Sequence, residues 1–77
     1  MTNYVVMFDG DPKPLVDAMK DVFNRHSMGR INRVHPRLGV ITVHDADDAV
    51  AKEVGVLPGV LAVEPELEWG IPEELNP

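Results

Sequence analysis

The stretch Val60-Leu61-Ala62-Val63-Glu64-Pro65-Glu66-Leu67-Glu68-Trp69 alternates with a period of two. Leu61, Val63, Leu67 and Trp69 share one side, and Glu64, Glu66 and Glu68 form a row of carboxylates on the other. Successive side chains of an extended strand point to opposite faces, so the pattern predicts a half-buried strand with an acidic outer face. Pro65 cannot donate to a β-ladder, and the strand runs into a Pro- and Gly-containing tail from Gly70 to Pro77. Both features place it at the edge of a sheet.

Working back from this strand, Leu57-Pro58-Gly59 is a turn. Ahead of it, Asp45, Asp47 and Asp48 supply acids for a helix start. Ala49, Val50, Ala51 and Val54 continue at helical spacing until Gly55 closes a short second helix. The same aspartates do not make a calcium loop, because the glycine and the late bidentate glutamate of that motif are missing from their offsets. Leu38-Gly39-Val40-Ile41-Thr42-Val43 is β-branched and apolar on both faces, which suits a central strand. Arg30-Ile31-Asn32-Arg33-Val34-His35 is more polar and leads into a turn at Pro36-Arg37. Its arginines suit an exposed edge, where charge discourages sheet-to-sheet aggregation.

The first helix is expected from about Pro12 to Ser27. Asp11 caps it, Pro12 fits its first turn, and Leu15, Ala18, Met19, Val22, Phe23 and His26 make one apolar stripe. Gly29 is expected to supply the left-handed stop. His26 stands in the last turn as a surface cap or a partly packed residue. The chain opens with Asn3-Tyr4-Val5-Val6-Met7-Phe8, apolar on both faces and ended by Asp9-Gly10-Asp11, which reads as another central strand.

The order is strand, helix, strand, strand, helix, strand. With right-handed crossovers this predicts an α+β fold of ferredoxin-like βαββαβ type: a four-stranded antiparallel sheet with both helices on one face. In that topology strands one and three are central and strands two and four are edges, as their patterns require. Residues 1–69 form the domain and residues 70–77 an extended tail. Two helices cover only one sheet face, and the other carries Glu64, Glu66 and Glu68 beside apolar residues. Such a face is either a protein-docking surface or a solvated surface whose acids keep a small protein dispersed.

Composition narrows the function. A chain of 77 residues makes one domain that buries only about 60% of its unfolded surface. With no cysteine, disulfides and thiolate chemistry are excluded. No apolar run approaches the roughly 18 residues of a membrane span, and no signal-peptide layout opens the chain, so no membrane partner and no particular compartment is indicated. The net charge of −6 argues against nucleic acid as a partner, since phosphate contacts supply most of that affinity. Charge is nonetheless uneven: Arg25, Arg30, Arg33 and Arg37 occupy an acid-free window, and acids dominate the second half. His26, His35 and His44 fall on three different elements without ligand spacing, so no metal and no cofactor is expected. Ser27 at a helix end has no evident base, so the chain does not read as an enzyme.

The residues Tyr4-Val5-Val6-Met7-Phe8, Gly29-Arg30-Ile31, Ala49-Val50 and above all Leu57-Pro58-Gly59-Val60-Leu61-Ala62-Val63-Glu64-Pro65-Glu66 carry a likeness to a known family. Across most of residues 3 to 69 the chain resembles the subtilisin propeptides and the free-standing, propeptide-like inhibitors of serine proteases. The resemblance implies a non-enzymatic inhibitor or folding chaperone whose open sheet face packs on two helices of a subtilisin-like serine protease. Glu64 and Glu66 would cap those helices' N-termini, with Glu68 in the same acidic row. Leu67, Trp69, Gly70, Ile71 and Pro72 would enter the substrate cleft as an added strand. The alternative is a non-inhibitory assembly module of the same fold that binds a second copy of itself or another protein.

Overall fold

A computed structural model of the chain describes residues 2–66. Its elements are β1 (Thr2–Phe8), α1 (Pro12–His26), β2 (Arg30–His35), β3 (Val40–Ala46), α2 (Asp48–Gly55) and β4 (Val60–Pro65). They form one antiparallel sheet in the order β2-β3-β1-β4, the ferredoxin-like arrangement, with the two-sided apolar strands inside and the arginine- and proline-bearing strands at the edges. Apolar burial sorts the strands in this way. A more polar or proline-bearing strand loses less at an edge, where only one ladder is formed and the other side stays open to solvent.

The core lies between the sheet and the two helices. Tyr4, Val6 and Phe8 of β1 and Ile41 and Val43 of β3 point toward the helices. They meet Leu15, Met19, Val22 and Phe23 of α1 and Val50 and Val54 of α2. The three-and-four spacing of the α1 stripe thus becomes the buried seam of the domain. Val60 and Val63 close the β4 side, and Ile31 and Val34 close the β2 side.

Helix ends are set by short polar contacts. The Asp11 carboxylate accepts from the Lys13 N–H at 3.0 Å, and Asp47 accepts from the Val50 N–H at 3.0 Å. Each satisfies an amide that the first helical turn leaves without a partner. At the far end of α1 it is Ser27, and not Gly29, that takes the left-handed cap (φ 54°), its N–H donating to Asn24 O. Gly29 is needed two residues on for a different reason. At φ 97° its bare Cα leaves room for the Phe23 ring, and a Cβ there would lie 2.7 Å from Cδ1 of that ring.

The start of α2 also departs from the sequence expectation. His44, Asp45 and Ala46 belong to β3 rather than to a helix start. Ala46 is buried and pairs with Thr2, while Asp45 bulges out of the ladder at φ 60°, its N–H donating to Asn3 Oδ1 at 3.3 Å. Aspartate tolerates this left-handed geometry better than most residues, so the bulge forms there and the helix waits for Asp47.

Glu53 ties the two helices together. Its carboxylate accepts from His26 Nε2 at 2.5 Å and from Arg25 Nη1 at 2.7 Å, both in the last turn of α1. His26 is therefore partly packed against α2. The hydrogen bond from His26 is the largest influence, and together with the hydrogen bond and charge of Arg25 it holds the Glu53 carboxyl below its usual range against the opposing effect of desolvation. A carboxyl whose folded pKa is depressed stabilises the protein fully above its unfolded value, and that stability is lost as pH falls through the folded value. Glu53→Gln should therefore be less stable than the parent at neutral pH. It should also lose less stability on acidification below roughly pH 4.3, the ordinary glutamate value. Urea melts at a series of pH values test this, and parallel acid limbs for the two proteins would contradict it.

Candidate functional site

The face opposite the helices is laid out by strand register. Ile31 and Val34 both turn inward because β2 carries a bulge between the pairs Ile31↔Val43 and Arg33↔Thr42. The bulge leaves Arg30, Asn32 and Arg33 on the uncovered side, where Asn32 Nδ2 donates to Thr42 Oγ1 at 3.2 Å and the Arg33 N–H to the same oxygen at 3.0 Å. On β4 a second bulge falls between Met7↔Ala62 and Phe8↔Val60. Leu61 is the extra residue. It does not share the side of Val63, as strict alternation predicts, but is 70% exposed, while Val60 and Val63 both pack inward.

Three rows cross this face from β2 to β4. The first is His35, Val40, Met7 and Ala62. The second is Arg33, Thr42, Val5 and Glu64. The third is Arg30, His44, Asn3 and Glu66. Val5, Met7, Val40 and Ala62 are half-buried, and they form an apolar strip along the two central strands and onto β4. The β2 edge is basic and the β4 edge acidic. The face is therefore polarised across the strands and not, as the acidic row alone suggests, uniformly negative.

Some of these charges already have partners. Arg30 Nε donates to Asp45 Oδ2 at 3.0 Å, and His44 Nε2 lies 3.7 Å from Glu66 Oε1. The Glu66 N–H donates to Asn3 O at 2.7 Å, so the ladder with β1 carries Glu66 onto the same face as Glu64. Arg33 and Glu64 have no ion-pair partner among the described residues. Of the site residues expected from sequence, Glu64 and Glu66 are thus brought together on the uncovered face. Glu68, Leu67, Trp69, Gly70, Ile71 and Pro72 lie outside the described residues. The sequence places Arg33 on an exposed edge strand but does not mark Arg33 or His44 as part of this face. The signal for His44 was the alternation Thr42, His44 against Ile41, Val43, but the cluster of aspartates that follows reads as a helix start and cuts the strand short.

Shallow clefts elsewhere do not gather chemistry. One of about 340 Å³ lies beside Asp9, Asp11, Leu15 and Pro58 at the start of α1. Among the described residues no three His, Cys, Asp or Glu side chains converge as metal ligands. What fold and face define together is a small ferredoxin-like domain with one uncovered, charge-polarised sheet surface. Comparison with protein-family models, with curated proteins and with solved structures finds no match.

Proposed function

We propose that this domain docks through its uncovered sheet face on a subtilisin-type serine protease and blocks the substrate cleft. The observation that carries the reading is the placement of Glu64 and Glu66 on one face of an edge strand, next to the apolar strip of Val5, Met7 and Ala62. Residues two apart on a strand are about 7 Å apart, close to the 8–10 Å that separates the axes of packed helices. Two carboxylates at that spacing address the N-termini of two neighbouring helices, each meeting unpaired N–H groups and the positive end of a dipole. The resemblance in the last strand supplies the protease as the bearer of those helices. The same resemblance gives Leu67 to about Pro72 the part of a substrate-like strand in the cleft.

The test is a dose series against a panel of subtilisin-type proteases with a chromogenic peptide. Glu64→Ala and Glu66→Ala should each weaken inhibition about tenfold, and together about a hundredfold, as expected for charge-assisted hydrogen bonds lost at separate helix ends. Asp17→Ala, on the exposed side of α1, should leave inhibition unchanged. Absence of inhibition at micromolar protein across the panel would sink the proposal.

A further inference from the structure

The polarity of the uncovered face makes it complementary to itself. Two such faces can be stacked about a two-fold axis that lies between the sheets and runs parallel to the strands. That rotation reverses the strand order β2-β3-β1-β4 and keeps each row at its own height. β2 then lies over β4 of the partner, and β3 over β1 of the partner. Arg33 meets the partner's Glu64, and by symmetry Glu64 meets the partner's Arg33, so two charged groups of this face that have no ion-pair partner among the described residues satisfy each other twice. Between these pairs, Val40 meets the partner's Met7 and Val5 meets the partner's Thr42, which covers the half-buried apolar strip.

From this arrangement we infer that the chain forms a two-fold symmetric homodimer through its uncovered sheet face, held by an apolar centre and two reciprocal Arg33–Glu64 pairs. Stacked sheets sit about 10 Å apart and cross at about 30°, a rotation small enough that a guanidinium at the β2 edge still reaches the opposed carboxylate. The other ways of stacking the face are disfavoured by charge. A two-fold axis across the strands places β2 on β2 and β4 on β4, bringing arginine against arginine and glutamate against glutamate. Four strands about 4.8 Å apart and some six residues long give a patch of roughly 400 Å² per subunit. That is about half the area of a standard interface, so the dimer is in dynamic exchange with monomer. The inference rests on the same face as the protease reading but not on the protease. The dimer hides Glu64 and would hold the inhibitor in reserve until a tighter partner displaces the second copy.

Sedimentation velocity from roughly 10 μM to 1 mM, a range that brackets weak association, reads the dimer directly. The wild-type chain should shift toward twice the chain mass as concentration rises. Arg33→Glu and Glu64→Arg should each raise the dissociation constant at least about tenfold, because each turns both attractive pairs repulsive. An equimolar mixture of the two variants should recover the wild-type dimer, since each variant's like-charged pair then faces the opposite sign. Far-UV circular dichroism confirms that both variants are folded. A wild-type chain that stays monomeric overturns the inference, and so does a dimer indifferent to either substitution or a folded mixture that fails to recover. Inhibition measured on the same proteins separates the two readings: a dimer without inhibition removes the protease alone, and inhibition by a strict monomer removes the dimer alone.

Discussion

Ile41→Ala should cost about 2–5 kcal/mol of folding stability, the range for removing a large aliphatic side chain from a close-packed interior. Ile41 is fully buried in β3, paired with Val6 on one side and Val34 on the other. A domain of this size has about 4–12 kcal/mol in total, at roughly 0.05–0.15 kcal/mol per residue, so the substitution removes a large share of it. In urea the midpoint should fall by about 2 M or more if the slope is near 1 kcal/mol per M. Ile41→Val, which removes one methylene, should cost only about 0.5–1.5 kcal/mol. Equal costs for the two variants would show that the site relaxes around the void.

The second large effect is expected at Gly39, which closes the turn between β2 and β3. Its backbone is left-handed (φ 69°), and a Cβ there would lie 2.8 Å from the carbonyl oxygen of Phe8. That oxygen belongs to the end of β1, whose Phe8 N–H in turn donates to Gly39 O at 2.9 Å. Backbone meets backbone, so no rotamer change relieves the clash. Gly39→Ala therefore combines the strain of a left-handed alanine with a forced separation of the hairpin from β1, about 2–4 kcal/mol together. Chemical denaturation checks the loss. Amide exchange locates it, with faster exchange expected first at Phe8 and at the turn. A loss below 1 kcal/mol would mean that the hairpin can tilt away from β1 at little cost.

These two residues differ in how readily the sequence discloses them. Ile41 sits in a β-branched run that is apolar on both sides, and such a run has few places to go but the centre of a sheet. The central and edge strands, the α1 stripe and the element order were legible for the same reason: burial of apolar surface acts on periodic patterns that a linear sequence displays. The departures cluster where one residue breaks the period. Leu61, Asn32 and Asp45 are each an extra residue in a ladder, and a bulge shifts every later side chain to the other face. Alternation counted from Leu61 therefore placed it with Val63, and the aspartates after His44 masked the last turn of β3. Glu64 and Glu66 were legible as a pair because no bulge separates them. Arg33 as their counterpart was not, because opposition across four strands depends on register, which no local pattern encodes.

The bond from the Glu66 N–H to Asn3 O has a mechanical meaning. β1 enters the sheet and β4 leaves it at the same end, side by side and antiparallel. A tug between these two points pulls the strands apart sideways, so their hydrogen bonds break one after another instead of resisting together. β4 is then the strand that peels first under load, and Glu66 and Glu64, which stand at the end where peeling begins, are the first part of the face to be carried away from it.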